Sequence, residues 1–269
     1  MDAARLASQL EYDCQLIMLD SVSSTNDEAL DLAQKSEHPL SPPLIVTSSE
    51  QTAGRGRLGR DWASPSGGVY LSAVFELEAL GQDAGTLASL SPLIALAVRN
   101  ALQCFQKEEV LIKWPNDVLS FTGKLAGILI ETKRVSTLSS DAKEGSQLIV
   151  IGVGINVNRP DTGAFENASY LGDNAGRRLV LEDVAAAVIN GLLGSYRLWE
   201  ARGCSFESFV PEYSKHMALI NGEVCVRNAL GDEIARGTVE GIDEKGRLVL
   251  SGASGKEAIT AGEVTLRNS

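Results

Sequence analysis

Histidine and cysteine are scarce in this chain of 269 residues: His38 and His216, then Cys14, Cys104, Cys204 and Cys225. No two cysteines stand in a C-x-x-C spacing. A structural zinc site draws about four N or S ligands from clustered positions, so none is expected. Scattered thiols of this kind read as reduced and mostly buried, which points to the cytoplasm. Positive charge is also in short supply, with 24 Lys and Arg against 35 Asp and Glu, a net −11. Binding nucleic acid along its backbone needs a cationic face, so DNA is excluded as a general partner. The same deficit argues against an anionic membrane surface. No apolar run approaches the roughly 18 residues of a membrane span. The opening MDAARLASQLEYDC has early acids where a secretory signal would have an apolar core.

Hydrophobic content is 44% and charged content 22%, as in an ordinary soluble protein. A chain of this size buries roughly 75% of its unfolded surface and needs no staples. SSTNDEALDLAQK (23–35) predicts a helix, capped by Ser24, Thr25 or Asn26, with Asp27 and Glu28 at its positive end. Short apolar runs predict strands at Leu44–Thr47, GGVYLSAVFEL, Glu109–Trp114, Gly123–Val135 and Leu148–Asn158. SPLIALAVRNALQCF predicts a core helix with Ser91 as N-cap and Pro92 at the first helical position. STLSSDAKEGSQ reads as a hairpin or loop. Leu181–Gly203 predicts a helix whose Val184, Val188, Leu192, Tyr196 and Trp199 share one face, and a shorter helix is expected near Phe206–Met217. From Val224 the texture changes to VCVRN, IARGTVEGI, RLVLSG and EAITAGEVTLR, short strands split by turns. That spacing predicts a small barrel or sandwich, with a boundary near Ile220.

Four stretches have the residue types for chemistry. EQTAGRGRLGRDW (50–62) interleaves Arg55, Arg57 and Arg60 with Gly54, Gly56 and Gly59 and closes on Trp62. The glycines admit positive φ, the guanidinium forks suit carboxylate and phosphate oxygens, and the indole offers a flat apolar face. The run is not expected to be regular structure. KWPNDVL places Lys113 at a strand end, with Asn116 and Asp117 in a turn behind Pro115. An acid there beside phosphates is a candidate Mg²⁺ ligand. GKLAGILIE puts Lys124 at the start of a strand, suited to stabilising charge on transferring oxygens, with Gly127 three residues on. GVGIN sets Gly152, Gly154 and Asn156 on one face of a strand, which bares its backbone to a flat ligand. Taken singly, each also reads as an exposed turn, an Asx turn, a surface lysine or a tight packing contact.

In their order and spacing, SSTN, GRGRLGR, KWPND, GKLAGIL and GVGIN resemble the biotin protein ligase family from about Asp20 to Arg267. The resemblance implies an α+β fold: a mixed-sheet, class II synthetase-like catalytic domain (1–220) and a small SH3-like C-terminal β-barrel (221–269). It implies that biotin and ATP are joined as biotinyl-5′-adenylate, and that biotin then passes to a lysine of a biotin carboxyl carrier domain of acetyl-CoA carboxylase. Ser24, Thr25, Asn26 and Gln51 are then expected around the ureido group of biotin, with Gly54 and Arg55 at that end. Gly127, Gly152 and Gly154 would form the floor. Arg57 would hold the carboxylate and then the adenylate phosphate, and Lys124 would be the catalytic lysine. Arg60, Trp62, Lys113, Asn116 and Asn156 fall to the nucleotide, with Trp62 over adenine and Asp117 near Mg²⁺. The family includes monomers and homodimers, so a homodimer is allowed.

Two departures stand out. Leu58 occupies a position that many bacterial members fill with a second basic residue. Only about twenty residues precede SSTN, too few for the winged helix of bifunctional members, so repressor activity is not expected. Two alternatives are a lipoate ligase or lipoyl/octanoyl transferase, and a sensor that holds an adenylate without transferring it.

Overall fold

The computed structural model describes residues 1–36, 40–77, 84–134, 147–163, 165–252 and 255–266. His38 and the stretch predicted as a polar hairpin, up to residue 146, lie outside them. In chain order come α1 (Ala3–Ala7), β1 (Gln15–Leu19), α2 (Thr25–Gln34), β2 (Leu44–Ser48), β3 (Val69–Leu77), α3 (Ala84–Ala88) and α4 (Leu90–Gln103). Then come β4 (Leu111–Lys113), β5 (Asp117–Ser120), β6 (Gly123–Arg134), β7 (Gln147–Ile155), α5 (Leu171–Ala175), α6 (Leu181–Ala201) and α7 (Val210–Lys215). Five strands close the chain: β8 (Glu223–Arg227), β9 (Glu233–Ile242), β10 (Leu248–Gly252), β11 (Gly255–Ile259) and β12 (Glu263–Leu266).

The first seven strands form one mixed sheet in the order β1-β2-β3-β7-β6-β5-β4. Only β1 and β2 run parallel; every other neighbour is antiparallel. The last five form a separate antiparallel sheet, β11-β10-β9-β8-β12. The fold is therefore α+β, a mixed sheet followed by a C-terminal antiparallel sheet.

Alternation along the strands decides what each face does. Ile149, Ile151, Val153 and Ile155 of β7 enter the main core, where α4 and α6 lie. Leu148 and Val150 turn the other way and pack with Ala29 and Ala33 of α2. Gly152 and Gly154 continue this second face, beyond the reach of the apolar cluster under α2. Register adds Ser72 of β3 and Leu129 of β6 beside Gly152, and Tyr70 and Gly127 beside Gly154. One half of the face is thus oily and the other is bare.

Several predicted boundaries move. The core helix starts at Leu90 behind Ser89, so Ser91 and Pro92 fall inside its first turn, where a missing N–H costs nothing. The Ser91 hydroxyl donates instead to the Pro115 carbonyl at 3.3 Å. The strand predicted at Glu109–Trp114 shrinks to Leu111–Lys113. EAITAGEVTLR breaks into β11 and β12 around Gly262, whose φ is +154°. α7 covers only half of the stretch predicted for it, behind a 3₁₀ turn at Glu207–Phe209.

Candidate active site

The glycine–arginine run is a small hairpin, more regular than expected. Arg55 bridges Asp61, the Gly56 N–H donates to the Arg60 carbonyl at 2.7 Å, and the Trp62 N–H to the Gly54 carbonyl at 2.9 Å. Its tip is a turn in which Leu58 (φ 60°) and Gly59 (φ 71°) both take left-handed backbone. Of the three glycines only Gly59 uses positive φ. Gly54 serves close approach: a Cβ there would lie 2.5 Å from Ser64 Oγ and from the Trp62 carbonyl. A Cβ on Gly56 would meet only ordinary contacts.

Two chambers meet beneath this hairpin. The first is lined by Ser24, Thr25, Asn26, Gln51, Arg55, Gly127, Gly152 and Gly154. The second is lined by Arg60, Lys113, Pro115, Asp117, Glu263 and Val264. Gly56, Arg57, Trp62, Asn116 and Lys124 border both.

A hydrogen-bonded chain forms the polar end of the first chamber. Ser24 caps α2 through the Asp27 N–H, and the backbone N–H and hydroxyl of Thr25 both donate to Gln51 Oε1, at 2.8 and 3.1 Å. Gln51 Nε2 donates to Ser64 Oγ at 2.8 Å. Asn26 lies across Gly152, with its Oδ1 2.3 Å from where a Cβ would stand, and donates to Glu131 Oε2 at 2.7 Å. The Ser72 hydroxyl lies 2.6 Å from Asn26 Oδ1 and 2.9 Å from Thr25 Oγ1. A hydroxyl carries one proton, so one of these two acceptors keeps spare capacity for a ligand N–H.

The Trp62 indole rests on the pair Gly127 and Gly154, which are register partners. A Cβ on Gly154 would lie 2.4 Å from Nε1, and one on Gly127 3.0 Å from the ring. Nε1 is buried with no hydrogen-bond partner. Lys124 Nζ sits 5.0 Å from the ring centroid and 2.7 Å from Asp117 Oδ1. Gly127, Gly152 and Gly154 thus lie bare on one face of the sheet, and the indole covers Gly127 and Gly154 at the junction of both chambers.

The three arginines are held differently. Arg55 pairs with Asp27 and Glu131, at 2.8 and 2.9 Å. Burial works against its charge, but the two carboxylates outweigh it and raise its pKa. Arg60 pairs with Glu263 of β12. Arg57 donates to Asn116 Oδ1 at 2.7 Å and to the Gly262 carbonyl at 3.2 Å, both neutral. No carboxylate among the described residues lies within ion-pair distance of it. Burial lowers its pKa, opposed by the nearby charges of Asp117 and Glu263.

Two predicted residues stay out of the chambers. Gly54 packs against protein, and the Asn156 amide donates to the Lys124 carbonyl at 3.0 Å, where it fixes the start of β6. Sequence reasoning missed Ser72, Glu131, Ser64 and Glu263. Ser72 and Glu131 carried a signal, as polar residues at alternate places in apolar strands; Glu263 carried none. Among the described residues no three His, Cys, Asp or Glu side chains cluster as metal ligands. No helix there is long and apolar enough to cross a membrane.

Comparison with known proteins agrees with this geometry. The profile of the Biotin/lipoate A/B protein ligase family matches residues 18–156, and that of the Biotin protein ligase C terminal domain matches 220–267. A biotin--[acetyl-CoA-carboxylase] ligase of Paracoccus denitrificans is 35% identical over 92% of this chain and 98% of its own length. The bifunctional ligase/repressor BirA of Salmonella typhimurium is 32% identical over the whole chain and 79% of its own. The structure of the Aquifex aeolicus biotin protein ligase in complex with biotin and ATP superposes with a TM-score of 0.74 at 28% identity, over 95% of this chain and 99% of that one. Motif order, both sheets and both profiles agree: the chain belongs to the biotin protein ligase family, and it is a ligase.

Proposed function

We propose that this enzyme joins biotin to ATP as biotinyl-5′-adenylate and passes the biotin to a lysine of a biotin carboxyl carrier domain of acetyl-CoA carboxylase. The observation that carries this reading is the junction of the two chambers at Arg57 and Lys124. A carboxylate must attack an α-phosphorus that is itself anionic. Cations at the meeting point offset that repulsion and stabilise the charge of the transition state. A carboxylate oxygen bonds to phosphorus as pyrophosphate leaves; the carrier amine then attacks the carbonyl carbon, AMP leaves and the amine loses a proton.

The first chamber suits biotin. Its ureido group carries two N–H donors and one acceptor, and Thr25, Asn26 and Gln51 offer the complementary atoms. The open space there is only about 50 Å³, far below the 300–1,000 Å³ of small-molecule pockets. The Trp62 indole therefore has to swing off Gly154 to admit the bicyclic ring. The second chamber suits the triphosphate, with Lys113 and Arg60 along its wall. Mg²⁺ takes one or two carboxylates and completes its shell with phosphate oxygens and water. That donor set fits an ion that would arrive with the nucleotide; Asp117, on the wall of the second chamber, would hold it, and the ion would supply positive charge against the phosphates. We read 1–220 as the catalytic unit and 221–269 as the smaller one. We further read the protein as cytoplasmic and, on its net charge of −11, as a ligase without DNA-binding repressor activity.

Pyrophosphate–ATP exchange tests the first step, with biotin, lipoate or octanoate added separately. Exchange with biotin is expected, and exchange with lipoate alone overturns the choice of substrate. A streptavidin blot of an added carrier domain tests the second. Adenylate held with no labelled carrier would favour a sensor over a ligase.

A further inference from the structure

The arginine hairpin spans both sheets. Arg55 is anchored to the larger one, through Asp27 on α2 and Glu131 on β6. Arg60 is anchored to the smaller one, through Glu263 at the start of β12. Gly262, the residue before Glu263, accepts from Arg57 at 3.2 Å. Residues 262 and 263 thus hold two arginines of the hairpin at once. The backbone fixes the relation between those arginines, since the Arg60 N–H donates to the Arg57 carbonyl at 3.3 Å. A carboxylate partner cancels much of a guanidinium charge at a distance, and a neutral carbonyl does not. The outer arginines thus have direct carboxylate partners, and among the described residues the middle one has none within ion-pair distance.

We infer that Glu263 is a positioning residue for nucleotide binding: by latching Arg60 it fixes the hairpin so that Arg57, which has no ion-pair partner among the described residues, faces the phosphates. This rests on the reading of the second chamber as the nucleotide site. The first chamber depends on it less, because α2 and β6 anchor that end through Arg55. The Arg60 and Glu263 side chains are 57% and 37% exposed, so solvent screens the pair and the expected effect is modest.

The test is steady-state pyrophosphate exchange on the full chain, with biotin and ATP varied in turn. Glu263→Gln is expected to raise KM for ATP by about two- to fivefold while KM for biotin holds. Glu263→Asp, which keeps the carboxylate, is expected to recover part of that loss, which a purely local packing role of Glu263 would not produce. An unchanged KM for ATP, an equal rise in both KM values, or a Glu263→Asp no better than Glu263→Gln overturns the inference. Failure of the wild-type chain to exchange with biotin would instead overturn the proposed function.

Discussion

The first chamber takes its floor from regular structure: Gly127 of β6 and Gly152 and Gly154 of β7, with the N-terminus of α2 at one end. The second is assembled from a hairpin tip, the Trp114–Asp117 turn and the first residues of a strand in the other sheet. Backbone ladders hold that floor, while the far wall of the second leans on the side-chain contact of Arg60 to Glu263. A site on a sheet is preorganised for the shape of its ligand; a site built from loops can close after the ligand arrives. The contrast matches what each ligand needs. A rigid bicycle is read by shape, whereas a reactive adenylate must be sealed from water after it forms.

That contrast can be broken at its centre. Lys124 borders both chambers, so Lys124→Ala should cost about 10²–10³ in exchange rate. A near-wild-type rate would remove it from its role. The next effect tests the sheet-built chamber alone. In Gly154→Ala a methyl stands on the floor that the bicyclic ring would cover once the indole has swung away, and overpacking typically costs about 1–3 kcal/mol. KM for biotin is expected to rise about tenfold. An unchanged KM for biotin would mean that the ring does not lie on Gly154.

Ser72→Ala sharpens the same chamber from the other side. The hydroxyl is buried between Asn26 and Thr25, and an abandoned buried acceptor costs about 1–3 kcal/mol. Melting temperature should fall and KM for biotin rise, with KM for ATP unmoved. The smallest effect lies in the second sheet. A hydrogen bond from Arg236 holds the Glu233 carboxyl down to about 2, against an ordinary 4.5. Its contribution is complete above pH 4.5 and is lost as pH falls toward 2. Glu233→Gln should flatten the acid side of the stability curve slightly and leave neutral pH untouched, as acid titration followed by circular dichroism would show.

Much of the fold was legible because its signals are local. The α2 cap at Ser24, the five-residue face of α6, the length of β6 and the change of texture after Ile220 all follow from spacing within a few residues. Boundaries drifted where a neighbour in space intervened. The core helix starts two residues earlier than expected, because α3 leads straight into it. The family resemblance alone places Trp62 over adenine. Where its indole rests in the structure depends on Gly127 and Gly154 being register partners, although they lie 27 residues apart.

The sequence by itself determined which chemistry is present: three arginines on glycine-rich backbone, a lysine at a strand start, an acid in a turn after a strand, and a strand bared at alternate positions. Those traits reside in residue type and short-range order. Only the tertiary structure decided how the charges are spent. Arg55 and Arg60 meet carboxylates that lie 76 and 203 positions away, and Arg57 pairs with none among the described residues. The reason is that Coulomb interaction depends on distance in space and on the medium between, neither of which can be read along a chain before it folds.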